Sequence, residues 1–140
     1  MSVFRASDGA FLRAFGSPGD REGQLDCPRG VAASTAGEVF VVDSGNQRVC
    51  VFRGSDGAFL RALGVPHEHG WPEDVALTAA GELLVTCGFT HPQCFVYRAA
   101  DGAWLRTFPA VPAGYGSAGV AVGARGEVVV ACHGRVHVFE

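Results

Sequence analysis

The chain has 140 residues and a mass of 14.6 kDa, the size of a single domain, and 48% hydrophobic against 18% charged residues excludes a disordered tail. Eleven arginines, no lysine and fourteen acidic residues give a net charge of −3, which argues against a nucleic acid held by bulk charge. No apolar run approaches the roughly 18 residues of a membrane span, no leader is visible, and five cysteines without a CxxC pair fit a reducing, cytoplasmic setting.

In chain order, the first element is Val3-Phe4-Arg5 followed by Asp8-Gly9-Ala10-Phe11-Leu12-Arg13, which predicts the tail of one strand, a tight turn and a second strand over about 10–15. The phrase returns as Val51-Phe52-Arg53 with Asp56-Gly57-Ala58-Phe59-Leu60-Arg61. It returns again as Val96-Tyr97-Arg98 with Asp101-Gly102-Ala103-Trp104-Leu105-Arg106, and its opening recurs at Val138-Phe139-Glu140. Between the copies, Gly30-Val31-Ala32, Asp74-Val75-Ala76 and Gly119-Val120-Ala121 each open a strand. Gly37-Glu38, Gly81-Glu82 and Gly126-Glu127 then turn the chain into Val39–Val42, Leu83–Val85 and Val128–Val130. Each period of about 45 residues therefore holds four strands, a to d, and strand b is apolar on both faces. The pattern predicts an all-β fold, a β-propeller of four-stranded antiparallel blades. The repeat units span about 28–63, 72–108 and 117–140, preceded by the blade-completing outer strand at about 10–15.

Pro28-x-Gly30-Val31-Ala32, then Gly37-Glu38-Val39-Phe40-Val41-Val42-Asp43-Ser44-Gly45-Asn46-Gln47-Arg48-Val49, then Asp56-Gly57-x-Phe59-Leu60-Arg61 closely resembles an NHL repeat. The likeness extends over nearly the whole chain and weakens after the first full unit. Where the family has Asp-Ser-Gly-Asn-x-Arg, the second unit has Cys87-Gly88-Phe89-Thr90-His91-Pro92-Gln93 and the third Cys132-His133-Gly134-Arg135. The resemblance implies six-bladed rings, whereas three blades expose two apolar blade faces. The expectation is a half-propeller that closes as a head-to-tail homodimer, the N-terminal strand of one copy completing the last blade of the other. A fragment of a longer propeller or an open arc is the alternative.

The repeated residues read as structural. Arg5, Arg53 and Arg98, with Arg13, Arg61 and Arg106, guard strand edges; Phe11, Phe59 and Trp104 pack between blades. Asp43 to Arg48 fixes the b–c turn by local hydrogen bonds, with Asn46 tolerating a left-handed backbone. Residues that do not repeat collect on one face, in the d–a loops (about 16–29, 64–73 and 109–117) and the b–c loops (43–47, 87–92 and 132–134). Variable loops on a rigid scaffold are where binding sits. The candidate ligand or partner face is Arg29, Asp43, His67, His69, Trp71, Glu73, Asp74, His91 and His133, with Cys87 and Cys132 in the same loops. Arg29 and Glu73 stand at the channel mouth, either holding a charged ligand or pairing with each other across neighbouring blades. His67-Glu68-His69 is a weak metal motif if extended, for zinc or calcium, against solvated histidines. Cys27, Cys50 and Cys94 read as small buried hydrophobes.

No cofactor and no nucleophile with a supporting base stand out. The expected function is a non-catalytic, self-assembling scaffold that binds a protein, peptide or small ligand on its variable-loop face. The resemblance also admits a propeller lyase or hydrolase with a metal at the channel mouth, and an RNA-binding domain, which the acidic charge disfavours.

Overall fold

In this computed structural model the described residues are 1–88, 92–109, 119–132 and 134–140. Strands β1 (Ser2–Phe4) and β2 (Phe11–Ala14) form an antiparallel hairpin, and β3 (Ser17–Pro18) and β4 (Gln24–Leu25) a short parallel pair. Then β5 (Pro28–Ala33), β6 (Glu38–Asp43), β7 (Arg48–Arg53) and β8 (Phe59–Gly64) make a four-stranded antiparallel sheet in chain order. A second such sheet contains β9 (Trp71–Leu77), β10 (Glu82–Gly88), β11 (Gln93–Arg98) and β12 (Trp104–Pro109). A three-stranded sheet follows, of β13 (Gly119–Val122), β14 (Val128–Cys132) and β15 (Arg135–Phe139). Helix among the described residues is confined to 3₁₀ turns at Ser44–Asn46 and His67–His69, so no described helix is long and apolar enough to cross a membrane.

The Asp-Gly phrase builds the same c–d turn three times. In each, the aspartate accepts from the alanine N–H two residues on at 3.0 Å and pairs with the arginine three residues before it: Asp8 with Arg5, Asp56 with Arg53 and Asp101 with Arg98. The intervening glycines have φ between 72° and 75°, a conformation that L side chains resist. Strand register after the turn is also repeated: Val3 faces Arg13, Val51 faces Arg61 and Val96 faces Arg106. At the a–b turns, Ser34 Oγ and Thr78 Oγ1 accept from the N–H of Glu38 and Glu82.

The core lies between sheets. Phe40, Val42, Val49 and Val51 of the first sheet meet Val75, Leu83, Val85 and Phe95 of the second. Leu84, Cys94 and Val96 of the second sheet meet Val130 and Cys132 of the third. On the opposite face of the first sheet, Val41, Cys50 and Phe52 are covered by Leu25, Phe15 and Met1. Successive side chains on β6 and β7 thus enter different apolar layers, which is why strand b carries no polar face.

Several expectations require correction. Phe11 and Trp104 are not packed between sheets; they are 60% and 62% exposed, while Phe59 alone of the three joins a core layer. The repeated arginines do more than guard edges. Arg61 and Arg106 reach back across strand c to Glu38 and Glu82, and Arg13 and Arg61 also donate to Gly54 O and Ala99 O of the following sheet. The left-handed residue of the b–c turn is Gln47, at φ 54°, rather than Asn46. Cys27 is exposed, with φ 47°, instead of buried.

Candidate functional site

Strands β5, β9 and β13 converge at Asp74. One carboxylate oxygen of Asp74 accepts from the N–H of Val75 (2.9 Å) and the other from the N–H of Val120 on β13 (3.0 Å). On its other side Asp74 leans on β5. A Cβ added at Gly30 would meet the Asp74 carboxylate and stand 2.5 Å from its Cα. The aspartate standing where the other units have glycine therefore links three sheets through two of their backbones and one glycine gap. One residue earlier, Glu73 takes an ion pair from Arg29, joining β9 to β5. Glu73 is largely covered, while the Arg29 side chain is 51% exposed. The pairing across neighbouring sheets is the structural alternative that the sequence left open.

Asp43 has no exposed surface. It accepts from Asp26 N–H (2.6 Å), Asn46 Nδ2 (2.9 Å), Arg48 Nε (2.7 Å) and the Cys50 thiol (3.7 Å). A carboxylate this enclosed is stable because its acceptor sites are filled, two of them by a charged or backbone donor. Arg48 Nη2 in turn donates to Arg21 O and Gln24 O, and Asn46 to Gly19 O. These bonds tie the loop over 16–27 to the 3₁₀ turn at Ser44–Asn46. Asp43 thus belongs to the support of the face and not to its surface. Arg48 was not among the candidate residues, although its place in the Asp-Ser-Gly-Asn-x-Arg motif was the available signal.

His67 is exposed, and Trp71 is 49% exposed at the start of β9. Arg29, Trp71 and Glu73 lie within strands β5 and β9, which begin earlier than the repeats suggested, so these residues, like Asp74, sit on framework and not on loops. His67-Glu68-His69 is a 3₁₀ turn, which advances about 120° per residue. The same-side argument for a metal pair in an extended segment does not hold there. The side chain of His69, and all of His91 and His133, lie outside the described residues. Among the described residues no cluster of three or more His, Cys, Asp or Glu is arranged to hold a metal ion.

Cys87 and Cys132 are strand residues with 0% and 4% exposure, not members of the open loops. Burial pushes the Cys50 thiol up to about 11 and those of Cys87 and Cys94 up to about 12. Such thiols are almost wholly protonated at neutral pH, which suits packing and opposes nucleophilic use. The exposed Cys27 thiol is also raised, first by its hydrogen bond with Asp26.

Residues 25–52 match the NHL repeat family model. That segment contains β5, β6, the Asp43 hub and most of β7. No curated protein matches the sequence. Among solved structures, a luciferin-regenerating enzyme shares 23% identity with a TM-score of 0.61, over 77% of this chain and 38% of that one. The gluconolactonase XC5397 of Xanthomonas campestris shares 22% identity with a TM-score of 0.66, over 84% and 39%. Virginiamycin B lyase from Staphylococcus aureus shares 14% identity with a TM-score of 0.68, over 99% and 47%. The chain spans less than half the length of each of these propeller proteins, and identities this low report fold and not activity. Residues 25–52 thus carry an NHL repeat, and the stacked four-stranded sheets are a fold shared with propeller proteins.

Proposed function

We propose that the protein is a non-catalytic NHL-type scaffold. Its blades, three to a chain, close with those of a second copy into a six-bladed ring, and the rim carrying Arg29, His67, Trp71 and Glu73 binds a protein or peptide. The observation that carries this reading is the way that rim is built. Asp43, Arg48 and Asp74 spend their polar atoms on backbone and turn partners, which fixes strands β5 and β9. Beside them an indole and a guanidinium are each about half exposed, 49% for Trp71 and 51% for the Arg29 side chain. Tryptophan and arginine on a rigid frame are the residue types that dominate binding energy at interfaces. The raised thiols and the internally satisfied Asp74 favour binding over catalysis.

The test is selection of binders from a displayed peptide library against the immobilised protein. Selected peptides should lose at least about tenfold in affinity on Trp71→Ala, an interface hot-spot magnitude, and keep it on Arg53→Ala at the opposite c–d turn. Binders indifferent to Trp71→Ala and Arg29→Ala would overturn the assignment of the face.

A further inference from the structure

Two repeated ion pairs have a third that is split between the two ends of the molecule. Arg61 on β8 holds the Glu38 carboxylate with both terminal nitrogens, at 2.7 and 3.0 Å, and Arg106 on β12 holds Glu82 at 2.7 and 2.8 Å. Each pair runs from strand d to strand b over strand c. Arg13 on β2 is the same repeat position; it reaches Gly54 O, as Arg61 reaches Ala99 O, yet among the described residues no carboxylate meets it. Glu127, just before β14, is the position of Glu38 and Glu82. It accepts from the N–H of Arg125 at 2.9 Å, and no described arginine side chain meets it. An arginine without its glutamate stands on a d strand without its b strand. A glutamate without its arginine stands just before a b strand whose described sheet has no d strand.

Exposure tells the same story at β15. Val136 and Val138 are 66% and 60% exposed, whereas their repeat equivalents Val49 and Val51, and Cys94 and Val96, are at 0%. Phe4 on β1 is 56% exposed, against 1% for Phe52. Val3 and Val138 are the same repeat position, so β1 and β15 are two candidates for one place, the inner edge of β2.

We propose, on the basis of the self-assembly reading above, that β2 of a second copy pairs with β15, with Arg13 of that copy on Glu127 of this one. The register follows the other hairpins: Val138 faces the second copy's Arg13, and Phe139 its Phe11, as Val51 faces Arg61 and Phe52 faces Phe59. β1 holds the inner edge of β2 in the single chain and yields it to β15. It is a three-residue strand; β15 is five residues long and already anchored in a sheet. Charge complementarity fits a second copy of this chain as the occupant: Arg13 stands at the repeat position that Arg61 and Arg106 use, and it meets no described carboxylate.

Sedimentation equilibrium on the 140-residue protein, with Arg13→Glu, Glu127→Arg and the double variant, tests the seam. The wild type is expected to dimerise, each reversal to raise the dimer Kd at least about tenfold, and the double reversal to recover most of that loss. If circular dichroism shows that a reversal unfolds the chain, Arg13→Gln and Glu127→Gln replace the reversals, each alone weakening the dimer as much as both together. A dimer indifferent to the single variants, or not recovered by the double reversal, overturns this seam and leaves self-assembly standing. A single-chain mass for the wild type overturns both.

Discussion

Asp43 accepts four donors without touching solvent, so its loss leaves the Arg48 charge and the Asp26 N–H uncompensated in a covered site. Asp43→Ala is expected to cost about 3–5 kcal/mol in urea unfolding, the range for breaking a covered charge pair; a cost below about 1 kcal/mol would mean that water replaces the carboxylate. Gly30 faces a different demand, since any side chain there enters the Asp74 carboxylate. Gly30→Ala should destabilise by about 1–3 kcal/mol, as overpacking does, and an unchanged melting temperature would show that β5 and β9 can move apart. The thiols are ranked by burial. Brief alkylation of the native protein should label Cys27 and spare Cys50, Cys87, Cys94 and Cys132 until denaturant is added. Mass spectrometry of the peptides decides it, and native labelling at Cys87 would contradict the packing.

At the scale of the element, the c–d hairpin is the most repeatable unit and was the most legible. Its Asp-Gly phrase carries its own turn chemistry, so nine positions announced both strands and the register between them. Packing adds a constraint that the phrase does not show. A Cβ on Gly57 would stand 2.5 Å from Phe15 Cβ, and one on Gly102 2.6 Å from Leu63 Cδ2, so each turn receives a side chain from the preceding sheet. Gly102→Ala, strained at φ 73° as well, should cost about 1–3 kcal/mol. The strand-crossing ion pairs set an acid response. The Arg61 and Arg106 guanidiniums hold Glu38 and Glu82 below their ordinary value of 4.5. A depressed folded pKa gives stability that is full above 4.5 and is lost as pH falls through the lower folded value. Both carboxylates are about a quarter exposed, so solvent screening limits the effect to below about 1 kcal/mol per pair. Unfolding free energies of wild type and Glu38→Gln should differ at pH 6 and draw together as pH falls below 4.5; a constant gap would assign the difference to packing instead.

The starts of strands a were less legible, for a physical reason. Arg29, Trp71 and Glu73 break the apolar alternation that marks a half-buried strand, and bulges between Pro28 and Val31 and between Thr86 and Cys87 shift the pairing there. Their side chains were therefore assigned to loops, although the backbone ladder continues beneath them. Phe11 and Trp104 misled in the opposite sense, since apolar character at an outer strand does not specify which side a neighbour covers. Cys87 and Cys132 align with Asp43 in the repeat, and that alignment places all three one step past strand b, whereas each belongs to the strand itself. It does not reveal that the position is buried.

At the scale of the molecule, three interlayer cores are filled by the chain itself, while Val136 and Val138 present to solvent what the other sheets bury. The three repeat periods are the basis of the proposed closure with a second copy. Sedimentation equilibrium of the unmodified protein at micromolar concentration tests it most directly. The account predicts a species of twice the 14.6 kDa chain mass, in reversible exchange with the single chain. A mass that stays at that of one chain as concentration rises would contradict it.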